Sequence, residues 1–333
     1  MTKFFKFLFF STLVTGSLIS ISSMSWFCSW MGLEINLLSF IPIMKTPNNK
    51  YSSESVSKYF MTQAMASFIL LFSMLLFTNL NEFSFELENN MLASTFMSSA
   101  IMMKMGAAPL HFWFPEVASG ISWNSNLILL TWQKIAPMMI LSYLNLMPKM
   151  MILFILTSSI VGSMMGLNQT CLRKILAYSS INHISWMLAA LMCSVSTWLM
   201  YFLIYSFMNL VIIKSLKLWK IYYIIQMNNI KNNPNKMLFM LNFFSLGGLP
   251  PFLGFLPKWI TIQQTSNSYL FLVTTIMIIF TLITLFFYLR ITFSSMSLYS
   301  KHSNINKYKN NTFLSIIALT IFPMSMILVM FMM

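Results

Sequence analysis

The sequence predicts an all-α polytopic membrane protein of about eleven transmembrane helices: two inverted five-helix repeats, each with a broken helix, and a C-terminal helix. Three observations carry that reading. Of 333 residues, 58% are hydrophobic and 8% charged, with a mean hydropathy of +0.75; a soluble domain could not keep so much apolar surface from water. The apolar residues fall in runs of about 20, the length that crosses a hydrocarbon core. Two of those runs carry the same Gly/Pro frame at matching places.

The spans are read at about 4–22, 24–43, 56–79, 91–118, 121–144, 148–168, 171–193, 195–219, 237–264, 267–292 and 311–332. No connection between them is long enough for a soluble domain. The first run follows Lys3 and Lys6 and ends in Ser-rich residues to Ser25. It is read as a first span, with a cleaved signal peptide as the alternative. The net charge of +14 is distributed by side, which points away from nucleic acid. With the N-terminus inside, one side carries bases such as Lys45, Lys50, Arg173, Lys174, Lys217 and Lys220. The other carries Glu82, Glu86, Glu88 and, among the bases, only Lys149. This is the positive-inside pattern, and an odd number of spans then places the C-terminus outside.

The second span contains Glu34, and the fourth, fifth and ninth contain Lys104, Lys134 and Lys258. A charge at bilayer depth costs roughly 3 kcal/mol even on lenient insertion scales, so such residues mark ion or proton pathways. Burial makes an ammonium give up its proton more readily, and a nearby carboxylate reverses this. A buried Lys with a movable Glu partner is therefore a proton-loading element with a switch. Structural ion pairing or snorkelling is the alternative for each Lys.

The fourth span reads Lys-Met-Gly-Ala-Ala-Pro-Leu-His-Phe-Trp-Phe-Pro-Glu from Lys104 to Glu116; the ninth reads Leu-Gly-Gly-Leu-Pro-Pro-Phe-Leu-Gly-Phe-Leu-Pro-Lys from Leu246 to Lys258. A shift of 142 residues places Gly106 on Gly248, Pro109 on Pro251, Pro115 on Pro257 and Glu116 on Lys258. Proline removes a donor and clashes with the preceding turn, so both helices are predicted to break, near Gly106 and Pro109 and near Gly248, Pro250 and Pro251. Irregular backbone at membrane depth survives only inside protein or beside water, and matched broken helices point to a transporter's ion site. The repeats are read as about 1–145 and 146–293, inverted, within a single domain spanning 1–333, with the terminal helix at about 311–333.

Other ionisable groups stay open at this level. Lys58 and Arg290 lie near span ends and are read as snorkelling. His183, mid-span, reads as a relay member or a satisfied core histidine, and His111 beside the first break is equally open. Glu116 reads as a partner for a Lys or as the end of the broken helix. Cys28, Cys171 and Cys193 have no paired spacing and are read as core thiols. The sequence holds no Gly-x-Gly-x-x-Gly, no phosphate-binding loop and no Cys/His cluster for a metal or an iron–sulfur centre. No metal or cofactor site is expected in this chain.

Several stretches are similar to the chain 2 family of mitochondrial NADH:ubiquinone oxidoreductases, antiporter-like subunits of respiratory complex I. They are Trp-Met-Gly-Leu-Glu-Ile-Asn (30–36), Lys-Tyr-Phe-Met-Thr-Gln-Ala (58–64), Ala-Pro-Leu-His-Phe-Trp-Phe-Pro-Glu (108–116), Thr-Trp-Gln-Lys-Ile-Ala-Pro (131–137), Gly-Leu-Asn-Gln-Thr (166–170), Arg-Lys-Ile-Leu-Ala-Tyr-Ser-Ser-Ile-Asn-His (173–183) and Leu-Gly-Gly-Leu-Pro-Pro-Phe-Leu-Gly-Phe-Leu-Pro-Lys-Trp (246–259). The resemblance implies an inner mitochondrial membrane location with the basic side in the matrix. It implies a proton-translocating axis of Glu34, Lys104, Lys134 and Lys258, and neighbours among the other membrane-arm subunits, including antiporter-like ones, as well as lipids. NADH, FMN, iron–sulfur clusters and ubiquinone are then handled by other subunits. A free-standing cation/proton antiporter shares the repeat and the buried charges and is the alternative; a structural spacer is a third.

Overall fold

The computed structural model describes residues 2–296 except 47–48, 81–85, 145–147, 230–232 and 268–269. The eleventh predicted span, 311–332, lies outside the described residues. Thirteen α-helices account for most of the rest: α1 (Thr2–Ser22), α2 (Trp26–Met44), α3 (Lys50–Leu80), α4 (Glu86–Met105), α5 (Trp113–Gly120), α6 (Trp123–Leu130), α7 (Trp132–Tyr143), α8 (Pro148–Met164), α9 (Leu172–Cys193), α10 (Val195–Trp219), α11 (Asn233–Gly247), α12 (Phe255–Asn267) and α13 (Phe271–Met296). A 3-10 helix, Ile224–Asn229, precedes α11. Among the described residues, six helices are long and apolar enough to cross a membrane.

The chain divides into two compact units, Met1–Phe154 and Ile155–Met333. In the first, α1 packs on α2 and α7, α2 on α3, α3 on α4 and α5, and α4 on α7. In the second, α9 packs against α10, α12 and α13, and α11 against α10 and α13. Helix α9 is buried nearly all round, the signature of a central helix. Large apolar side chains such as Phe4, Phe7, Phe68, Leu272, Phe286 and Phe293 face outward, which suits acyl chains as solvent. Hydroxyls inside the spans donate back to their own helices, as Ser73 does to the Leu70 carbonyl at 2.6 Å and Thr284 to that of Thr281 at 2.8 Å. That satisfies them without a partner helix.

Three predicted spans are divided. The fourth becomes α4 and α5, and the ninth becomes α11 and α12, each around its Gly/Pro frame. The fifth, expected to be continuous over 121–144, is interrupted at Thr131. There the threonine hydroxyl donates to the Leu127 carbonyl at 2.7 Å, the back-bonding that bends helices. Helix α3 begins at Lys50, before the predicted 56, because its polar first turns, Lys50 to Ser55, are helical too. Cys28 is exposed and not a core thiol, and Cys171 and Cys193 are half-buried.

Helices α1 and α2 touch closely through small residues. A Cβ on Gly32 would lie 2.6 Å from the Ser20 nitrogen and 2.8 Å from the Gly16 carbonyl oxygen, both backbone atoms. This is the close approach that small residues permit between membrane helices. Gly32→Leu is therefore expected to force α1 off α2 and to lower the amount of assembled protein severalfold, read on native gels of membranes; wild-type levels would show that the contact is dispensable.

Candidate functional site

Both breaks are built the same way. Helix α4 ends at Met105 and Gly106 takes φ +75. Its N–H donates to the Met103 carbonyl at 3.2 Å, and the Ala107 N–H reaches that of Met102 at 3.0 Å. At the second break Gly248 takes φ +79. Its N–H donates to Ser245 at 3.0 Å, and Leu249 donates to Phe244 at 3.3 Å. These paired bonds around a left-handed residue form the Schellman helix end, and glycine takes that conformation without a Cβ penalty.

Ending a helix at membrane depth leaves carbonyls in need of donors. The first break meets this with neutral groups: the Trp113 indole N–H donates to the Met103 carbonyl at 3.1 Å, and the Gln63 amide to that of Lys104 at 3.1 Å. At the second, the donor is Lys258, whose Nζ reaches the Gly247 carbonyl at 2.8 Å. The approach is tight, since a Cβ on Gly248 would lie 2.9 Å from both Cδ and Nζ of Lys258. Lys258 is buried and its Nζ sits 6.0 Å from the centroid of the Trp186 ring, at the limit of a cation–π contact.

In the first unit, Lys104 and Lys134 line one cavity. It is walled by Leu33, Asn36 and Leu37 of α2, Tyr59 and Gln63 of α3, and Gln133 and Pro137 of α7, among others. Its volume is about 20 Å³, above the roughly 10–15 Å³ that holds one water. Lys134 is 1% exposed and Lys104 7%, so neither ammonium meets lipid. The Lys134 Nζ lies 5.7 Å from the centroid of the Phe114 ring. The Gln133 amide donates to the Asn36 carbonyl oxygen at 2.9 Å and ties the helix of Glu34 to that of Lys134.

Glu34 is half-buried, and its Oε1 has no hydrogen-bond partner. It follows Leu33, which lines the cavity. Yet among the described residues no ion pair within 4.0 Å joins it to a base; the two such pairs both belong to Lys58. Glu34 and Lys104 are thus not joined by a direct ion pair in this conformation.

Lys58 bridges Glu54 at 2.8 Å and Glu116 at 2.7 Å, so it is paired where snorkelling was expected, and Glu116 is its partner from across the first break. Arg290 also departs from snorkelling. It donates to the carbonyls of Leu167 and, at 2.6 Å, Gln169, capping the chain after α8. His111 is buried at the first break, with Nδ1 3.2 Å from the Pro109 carbonyl. His183 is buried in α9, with Nδ1 2.8 Å from the Tyr201 hydroxyl and its ring 4.9 Å from that of Tyr205. Among the described residues no three His, Cys, Asp or Glu gather as a metal site. Asn36, Tyr59, Gln63, Trp113 and Gln133 also serve the site, and their only signal in the sequence is three amides, a phenol and an indole within apolar spans.

The transmembrane family described as NADH:quinone oxidoreductase/Mrp antiporter matches residues 23–285. The NADH-ubiquinone oxidoreductase chain 2 of Anopheles gambiae is 46% identical over 323 residues, which cover 96% of this chain and 94% of that relative. The chain belongs to the NADH-ubiquinone oxidoreductase chain 2 family. The Locusta migratoria chain 2 agrees, at 45% identity over 96% of this chain and 93% of its own length. A chain of respiratory complex I from Thermus thermophilus shares the fold with a TM-score of 0.85, at 21% identity over 96% of this chain and 77% of that one. A chain of the Mrp complex from a Dietzia species is similar with a TM-score of 0.72, at 15% identity over 84% of this chain and 58% of that one.

Proposed function

We propose that this chain is the antiporter-like membrane-arm subunit of a proton-pumping NADH:ubiquinone oxidoreductase and that it moves protons through Glu34, Lys104, Lys134 and Lys258. It is a multi-pass protein of the mitochondrial inner membrane and works beside other membrane-arm subunits. The observation that carries the reading is the pair Lys104 and Lys134 on one water-sized cavity, with Glu34 on the neighbouring α2 and its Oε1 buried without a hydrogen-bond partner. Two ammonium groups on one low-dielectric cavity cannot both stay charged cheaply, so loading one favours unloading the other. Glu34 sets which state the first site takes. Lys258, on the matched break of the second unit, is the last site to load and hands its proton to the outer side or to a neighbouring antiporter-like subunit.

The finer architecture belongs to the same proposal: about eleven spans, two inverted repeats, the N-terminus in the matrix and the C-terminus in the intermembrane space. His183, with its Tyr201 bond, and His111, at the first break, are accessory at most, as is the Lys58–Glu116 pair. No cofactor is assigned to this chain; NADH, FMN, the iron–sulfur clusters and ubiquinone belong to other subunits of the complex. A free-standing cation/proton antiporter remains the second reading, because a Mrp complex chain shares the fold. Gentle solubilisation of native membranes separates the two. The proposal expects the chain in a very large NADH-oxidising complex, and its migration alone or in a small complex would favour the antiporter.

A further inference from the structure

The two breaks differ in what holds them, and the difference concerns Gln63. At the second break a lysine ammonium is the donor to the freed carbonyl. At the first, the carbonyl of Lys104 itself is taken by the Gln63 amide at 3.1 Å, and that of Met103 by the Trp113 indole at 3.1 Å. A Lys side chain near a helix end has its own last-turn carbonyls within reach and is drawn to them by the negative end of the helix. The Lys104 ammonium does not take that course, and among the described residues it makes no side-chain hydrogen bond or ion pair. Lys104 lines instead the cavity shared with Lys134. Gln63 is 5% exposed and lines that same cavity, one turn of α3 from Tyr59.

We infer that Gln63 is a positioning residue for Lys104: by occupying the Lys104 carbonyl with a neutral donor, it keeps the ammonium from folding back onto its own helix end and holds it on the cavity. This rests on the proposed proton role of Lys104 and adds to it why that lysine, unlike Lys258, stands clear of its break. The titratable groups that face Lys104 are Glu34 from α2, Tyr59 from α3 and Lys134 from α7; α5 presents Trp113 and Phe114, which do not titrate. The interior donor is neutral at every working pH. The first break therefore keeps its geometry whether Lys104 is loaded or empty, which a titrating donor could not ensure.

Gln63→Met tests this, because it matches the length and lacks the donor. The vacated carbonyl then attracts the Lys104 ammonium, and a hydrogen bond to the charged form makes that form harder to deprotonate. In the assembled complex, the alkaline limb of proton pumping coupled to quinone reduction is expected to move up by about one pH unit, with fewer protons moved per NADH at neutral pH. An unmoved limb overturns the inference, since a packing role would lower the amount of complex and leave the pH profile in place. Should Q63M fail to assemble, Gln63→Asn replaces it; its amide stops a methylene short of the carbonyl, the same upward displacement is expected, and an unmoved limb is again decisive against the inference. Lys104→Met is measured alongside. If that variant pumps normally, the proton role of Lys104 has failed; if it does not pump while Q63M keeps the native profile, only the positioning role of Gln63 has failed.

Discussion

Glu34→Gln is expected to leave the oxidoreductase assembled and to lower pumping-coupled quinone reduction about tenfold, the size of an ordinary coupling free energy between two sites. Assembly should survive because the amide has the size of the carboxylate and Glu34 holds no ion pair within 4.0 Å among the described residues. Its Oε1 is buried without a hydrogen-bond partner, so the substitution breaks no bond at that atom. What it removes is the carboxylate charge of α2, next to the cavity that Lys104 and Lys134 line. The measurement is quinone reduction and dye-reported proton uptake in sealed membranes, with complex content read on native gels. A normal coupled rate in an assembled variant would end the idea that Glu34 switches the first site.

The four charges and the two breaks were legible in the sequence because each carries a cost that an apolar span does not accept by default. A lysine at bilayer depth is too expensive to be filler, and a Gly-x-x-Pro frame cannot continue a helix. What serves those features was much less legible. Gln63, Trp113 and the Gln133–Asn36 pair are neutral, cost little by composition, and find partners that exist only once the break has freed particular carbonyls. Arg290 and Lys58 looked like snorkelling residues because position along a span is a local property. Their partners lie 121 to 123 residues away for Arg290, and 58 residues away for the Glu116 contact of Lys58. The interruption at Thr131 left no trace either, since threonine is ordinary in membrane helices and bends them only through a bond that the sequence does not announce. The shift of 142 residues exposed the matched frames but not their unlike donors: at the site equivalent to Lys258 the first unit has Glu116, which turns to Lys58 and leaves its own break to neutral groups.

Lys258 should separate into two roles under two substitutions. In the structure it caps the Gly247 carbonyl at 2.8 Å and in the proposed mechanism it also carries a proton, and these demands are chemically distinct. Lys258→Met removes both. It leaves a buried carbonyl without its donor, a loss of about 1–3 kcal/mol, at a break where irregular backbone survives only if its polar groups are satisfied. The expected result is less assembled complex together with no pumping through this chain. Lys258→Gln removes the titrating group and keeps an N–H donor, one bond shorter, which needs a small shift of α12 to meet the Gly247 carbonyl. It should restore assembly toward the native level while coupled proton translocation stays at the level of K258M. Gly248 supplies the steric boundary, because Nζ lies within 2.9 Å of where a Cβ would sit, and Lys258→Arg, bulkier at that point, is expected to assemble less well than K258Q despite its charge. If K258Q pumps as the native chain does, Lys258 is a structural cap and the proton route of the second unit must run elsewhere; if K258M assembles fully, the bond to Gly247 is not what holds the break, and the charge alone accounts for a lysine at that depth.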